Sequence, residues 1–177
     1  MVDAMPMAAL VELVNGWGGT PRREAGEDEV AYPPRSRILD LWDVSDNLIP
    51  IDDARLTAVA DRLHPVFVAE KATEAARLIN DLLEDTAVRL VLKPDGDGLR
   101  AAWSVAASSD ALLAAAAVGL HHQLAEHSPS RLGTCSGRRC ADVYVDASPT
   151  GRRRFCGVTC QNRARVAAFR KRRGGEA

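Results

Sequence analysis

The sequence predicts an α+β fold: a mainly helical N-terminal domain carrying one β-hairpin, followed by a small cysteine-anchored module that ends in a basic helix. Three observations carry this expectation. Apolar residues recur at helical spacing through most of 1–130. That period changes once, near 87–105, where strand-forming residues flank turn chemistry. All four cysteines lie between Cys135 and Cys160, and most of the arginines after residue 130 sit close to them. The reading therefore divides the chain into an acidic body, 1–130, and a C-terminal module, 131–177.

The first helix is expected over Met7–Asn15, where Ala9, Leu10, Leu13 and Val14 share a face. Gly16-Trp17-Gly18-Gly19 should end it, and Thr20–Pro34, polar and proline-punctuated, reads as an exposed loop. Ser36–Val44 suits a short helix with Ile38, Leu39, Leu41 and Trp42. Asp52-Asp53 precedes a longer helix built on Leu56, Val59, Ala60 and Leu63, which Pro65 should interrupt or restart. From Val66 to Glu84, Phe67, Ala75, Leu78, Ile79, Leu82 and Leu83 form the next apolar face. Ala87–Leu92 and Leu99–Val105 then pair as a hairpin across Pro94–Gly98. Asp95 and Asp97 in that turn lack the loop length and terminal carboxylate of a calcium site. Ser109 and Asp110 start an alanine-rich helix, Ala111–His127, that leads into the cysteine module.

The cysteines form two close pairs, Cys135-x4-Cys140 and Cys156-x3-Cys160, with fifteen residues between the pairs. Four thiolates converging on one point complete a tetrahedral shell for Zn²⁺ and leave no open position for a substrate, so one structural zinc ion is expected. The competing reading is two disulfides, which would need an oxidising compartment; the N-terminal segment does not resemble an export signal. His121, His122 and His127 are alternative ligands, but the cysteines already fill the shell. The whole module is expected to be treble-clef-like, with a helix from Val158 stopped by Gly174-Gly175. Phe155, Val158, Asn162, Val166 and Phe169 would form a seam facing the knuckle.

The net charge of −1 conceals a segregation. From Arg131 to Ala177 there are twelve Lys/Arg against three acids, Asp142, Asp146 and Glu176; the rest of the chain holds eleven bases and twenty-one acids. A basic module on an acidic body suits a polyanion; the alternative is that the two halves partly neutralise one another in the folded molecule. Arg138, Arg139, Arg152, Arg153, Arg154, Arg163, Arg165, Arg170, Lys171, Arg172 and Arg173 are the candidate phosphate contacts. Asn162 suits either an adenine edge or a buried capping role. Double-stranded DNA is the expected partner. RNA is less well served, because the module's aromatics are only Tyr144, Phe155 and Phe169. A dock onto RNA polymerase or another transcription protein is the alternative of a different class. A single finger with one helix would give limited specificity, which leaves room for a homodimer formed through the body or for help from another DNA-bound protein.

The tetrad Cys160-Gln161-Asn162-Arg163, the wider first cysteine gap, the Val143–Ser148 stretch, the Arg152–Cys156 run and the basic tail together resemble the bacterial family named for its CGNR zinc finger. Gln161 stands in place of the family glycine and Phe155 where tryptophan is usual; neither is a ligand. The body, with its Leu90-to-Gly98 hairpin motif, resembles the ABATE domain that accompanies such fingers. The resemblance implies a stress-responsive transcription regulator, cytoplasmic and nucleoid-associated. An enzyme is not expected: the cysteines are consumed by metal, and neither a phosphate-cradling glycine loop nor a nucleophile elbow is present. No apolar run approaches a membrane span. Trp17, Trp42 and Trp103 read as core rather than as a ligand pocket.

Overall fold

The computed structural model describes residues 1–42 and 51–174, with side chains through Arg172. Its elements, in order, are α1 (Met7–Trp17), α2 (Gly19–Ala25), α3 (Ser36–Leu39), α4 (Asp53–Val68), α5 (Ala72–Asp85), β1 (Arg89–Asp95), β2 (Gly98–Ser104), α6 (Ala111–Glu126), β3 (Leu132–Thr134), β4 (Val143–Val145) and α7 (Val158–Gly174). The fold is α+β, with two separate antiparallel two-stranded sheets, β1–β2 and β3–β4. Among the described residues no helix is long and apolar enough to cross a membrane.

α6 is the central element. Ala114, Ala115, Ala116 and Ala117 are completely buried, which lets neighbouring backbone approach where larger side chains would hold it away. The N-terminal segment uses that space: Met5 N donates to Ala115 O at 2.9 Å, and a Cβ at Gly119 would lie 2.3 Å from Met5 O. Glycine is therefore required at 119. Around α6, the apolar faces of α1 (Ala9, Leu10, Leu13, Val14, Trp17) and α4 (Leu56, Val59, Ala60, Leu63, Val66, Phe67) close one core, joined by Ile79 and Leu82 of α5. Trp17 and Trp42 belong to that core, and Trp103 packs against it with its ring edge-on to His121.

Several boundaries differ from expectation for identifiable reasons. Residues 19–25 form α2 rather than an exposed loop. Pro21 sits in the first turn, where an N–H would have no intrahelical acceptor. Arg22 is buried because its guanidinium donates to the carbonyls of Gly16, Glu27 and Val30 and stacks 4.5 Å from the Tyr32 centroid. α4 continues through Pro65 to Val68, so the break falls after it, before α5 begins at Ala72; Leu63, Val66 and Phe67 are all buried, and their packing outweighs the missing N–H. The strands run through Pro94 and Asp95, leaving a two-residue loop, Gly96-Asp97, with Gly96 at φ 57°. α3 is four residues long; the expected continuation through Val44 and the stop at Gly175 lie outside the described residues. Leu90, Leu92 and Leu99 are mostly exposed on one side of the β1–β2 ribbon.

The β3–β4 hairpin is welded to the body. Leu132 and Val143 are buried in the same core as α1 and α4. The Asn15 side chain behaves like a third strand: its Nδ2 donates to Val143 O at 3.0 Å, and its Oδ1 accepts from Val143 N at 2.7 Å. His64 Nε2 lies 3.4 Å from Ala141 O. Asn15→Ala leaves both Val143 groups without their partner and is expected to cost about 1–3 kcal/mol in urea unfolding.

Two residues further along α1, Trp17 Nε1 donates to Asp53 Oδ1 at 3.2 Å and Arg35 Nε reaches the same oxygen at 3.3 Å. These bonds, with the Arg35 charge, hold the Asp53 carboxyl below its ordinary value. The stabilisation is thus present above an unfolded pKa of about 3.9 and lost as pH falls through the lower folded value. Asp53→Asn should flatten the acid limb of a stability-versus-pH curve.

Candidate metal centre

The module is built from two short ligand-bearing segments. Cys135 follows β3 directly, and its N donates to Asp142 O at 2.8 Å, folding 135–142 into a tight loop. Gly137 sits at the floor of that loop, and its N donates to Cys135 Sγ at 3.3 Å. A Cβ there would lie 3.2 Å from the sulfurs of both Cys135 and Cys160, so a side chain would crowd the centre. Cys156 and Cys160 come from the approach to α7 and its first turn. That position places the Cys160 sulfur near the positive end of the helix dipole. Ser136 N donates to Arg154 O at 2.8 Å and ties the two segments together.

All four Sγ atoms lie within 4.8 Å of one another, and all four cysteines are free. Cys140 and Cys156 are separated by 3.7 Å, and Cys156 and Cys160 by 3.6 Å. A disulfide requires about 2.05 Å. A tetrahedron with zinc–sulfur arms of about 2.3 Å has edges of about 3.8 Å. The donor set and its spacing therefore fit one structural Zn²⁺, held by Cys135, Cys140, Cys156 and Cys160. His121, His122 and His127 are not part of this cluster; the His121 and His122 rings pack with Trp103.

The thiols are unequal before metal arrives. Burial opposes the Cys135 thiolate, but the amides of Cys156 and Gly137 and the neighbouring thiols outweigh it and leave its pKa below the ordinary value. Burial pushes Cys140 up to about 12, with the Asp142 carboxylate adding to the effect. Cys156 is raised as well, by burial first and then by Asp142 and Cys135. A divalent cation must therefore displace protons from these sulfurs.

The loop between the cysteine pairs is organised by Asp146 and two arginines. Asp146 is buried; its Oδ1 accepts from Ser148 N at 2.9 Å and its Oδ2 from Arg153 N at 2.7 Å. Those bonds hold its carboxyl below the ordinary value. Arg131 donates to the carbonyls of Asp146 and Ser148. The guanidinium of Arg153 donates to Phe155 O at 2.9 Å, Val145 O at 3.0 Å and Cys156 O, and lies 5.0 Å from the Tyr144 centroid. Arg153 is thus a brace of the finger. The sequence reading overlooked Asp146, Arg131 and Asn15; only the Asp146-Ala147-Ser148-Pro149 turn chemistry offered a signal.

The other candidate cations are differently placed. Arg138, Arg139, Arg152, Arg154, Arg163, Arg165, Arg170, Lys171 and Arg172 are exposed, and none forms a salt bridge among the described residues. The side chain of Arg173 lies outside the described residues. Arg154 also rests 5.9 Å from the Phe155 centroid. The expected seam does not face the knuckle: Val158 is 70% exposed, Val166 49% and Phe169 51%. The knuckle is shorter than α7 and covers only its first turn, where Cys160 is buried. Asn162 is likewise exposed, which removes the buried capping role considered for it.

This geometry defines a four-cysteine zinc-binding module. Residues 131–173 match the CGNR zinc finger, and the match spans both cysteine pairs and nearly all of α7. No curated protein matches the chain.

Cys156→Ser is expected to abolish stoichiometric zinc in metal analysis while far-UV circular dichroism keeps the signal of α1, α4 and α6. Zinc affinity should rise with pH, because the raised thiols must lose protons. Calorimetry in buffers of different ionisation enthalpy at pH 7 should register more than one proton released per zinc.

Proposed function

We propose that the protein is a zinc-stabilised DNA-binding regulator of transcription, in which a treble-clef-like finger presents α7 as a basic recognition element. The observation that carries this reading is the surface of α7 beyond the metal. Arg163, Arg165, Arg170, Lys171 and Arg172 are all exposed, and the helix contains no acid. Glu12, Glu27 and Asp142 line a cleft with Arg163 at the start of the helix, whereas among the described residues no carboxylate lines the grooves beside Arg165, Arg170 and Arg172, which present a positive field to a polyanion. Arg152 and Arg154, exposed beside the second cysteine pair, extend the same surface. Zinc acts here as a clamp that orients the helix, not as a reagent. The reading has no catalytic component.

The resemblance of 1–130 to the ABATE domain supports a body that supplies regulation or pairing of two copies, in a stress response within the nucleoid. A protein-docking role is the second reading, favoured by the exposed Val158 and Val166. RNA is supported less, since Tyr144 is buried and Phe155 half-buried, leaving no exposed ring to stack a base in the first part of the finger.

The two readings separate on salt. For a duplex contact, the logarithm of affinity should fall linearly with the logarithm of salt, by about 0.9 for each phosphate neutralised. Arg170→Gln with Arg172→Gln should reduce that slope by about 2 without loss of zinc. A salt-insensitive affinity would remove DNA as the partner, and duplex binding unchanged by chelator would remove zinc as the clamp that orients the helix.

A further inference from the structure

The outer side of α7 has a layout that neither metal binding nor packing requires. At about 3.6 residues per turn, Val158, Asn162, Val166 and Phe169 fall on one stripe. Arg165 and Arg172 lie along one flank of it, Arg163 and Arg170 along the other. Two shallow grooves follow its margins. One is lined by Arg165, Val166, Phe169, Arg170 and Arg172; the other by Thr159, Asn162, Arg163, Val166, Ala167 and Arg170. The Asn162 amide is exposed and has no hydrogen-bond partner among the described residues.

Resting on the DNA reading above, we propose that this stripe reads A·T base pairs in the major groove, with Asn162 as the specificity-determining residue. The groove is about 12 Å wide and admits a helix about 10–12 Å across. A helix lying in it has a phosphate wall on each side and base edges ahead. The arginine pairs on the two flanks meet the walls, and the stripe between them meets the bases. Its chemistry then selects the pair. Guanine is read best by an arginine fork; the period returns Arg173 to the stripe only a turn past Phe169, and from Val158 to Phe169 no arginine stands on it. The single polar group there is an amide, whose donor and acceptor match the N7 and N6 edge of adenine. The methyl groups of Val158 and Val166 suit the C5-methyl of thymine, which no G·C pair carries. An acidic protein partner would also accept a cationic rim, but it would not call for matching cations on both sides of an amide-bearing stripe.

The test uses the full-length, zinc-loaded protein and three duplexes of equal length: one A·T-rich at its centre, one G·C-rich, and the A·T-rich duplex with deoxyuridine replacing thymidine. The A·T duplex is expected to bind about tenfold tighter than the G·C duplex. Removing the thymine methyls should weaken it by about threefold for each methyl contacted. Asn162→Ala should bring the A·T affinity down toward the G·C value, with zinc content and circular dichroism checking that the variant is folded. Equal affinity for all three duplexes, with the steep salt dependence kept, overturns base reading while leaving phosphate binding in place. An A·T preference that survives Asn162→Ala overturns the role of Asn162. Failure to bind any duplex, with tight binding to an acidic protein instead, overturns this proposal together with the DNA reading on which it rests.

Discussion

Four sulfurs meeting at one point are the constraint from which the C-terminal third takes its shape. The hairpin β3–β4 has three residues in each strand, and the segment from Asp146 to Gly157 has no regular structure of its own. Neither would hold a helix at a fixed angle. The sulfurs of Cys135 and Cys140 belong to the hairpin side, those of Cys156 and Cys160 to the helix side, and a metal bonded to all four removes the freedom between them. Short elements that could not nucleate alone thereby become a rigid mount for α7.

The cations divide into two populations by what they touch. Arg22, Arg131 and Arg153 each aim several N–H groups at backbone carbonyls, and in doing so they satisfy turns that lack a ladder or helix to pair with. Arginine suits that task because its planar fork offers donors in several directions while the same guanidinium lies over a ring, Tyr32 for Arg22 and Tyr144 for Arg153. Among the described residues, the arginines of α7 have no such internal acceptors. Composition counts both populations alike, so the strong positive excess of the module overstates the charge available to a ligand by those spent inside it.

The readable parts of this protein were those written in local periodicity or in spacing. The cysteine pairs, the apolar faces of α1 and α4, the Asp52 cap, whose carboxylate accepts from Arg55 N at 2.7 Å, and the central alanine helix all announce themselves within a few residues. What escaped were features that depend on distant partners. Arg22 lies in an acid-rich, proline-marked stretch, and the carbonyls that bury it are assembled only when α2 folds back. Pro65 looks like a break until Val66 and Phe67 are seen to belong to the same buried face. The stripe on α7 was legible as a face, but a periodic pattern says nothing of which way the face points. The short knuckle covers one turn of the helix and leaves that stripe to the solvent.

The sharing of Leu132 and Val143 with the core of α1 and α4 has a practical corollary for anyone dissecting the molecule. Many metal-clamped modules can be excised and studied as peptides, but this one borrows its greasy underside from the rest of the chain. Severed near residue 130, the excised piece would carry a bare apolar patch and a vacant amide pair at Val143. The remainder would be left with an open wound between its first and fourth helices. Truncation would thus create two sticky fragments, and a shortened gene product would be more apt to clump than to act as half of the original.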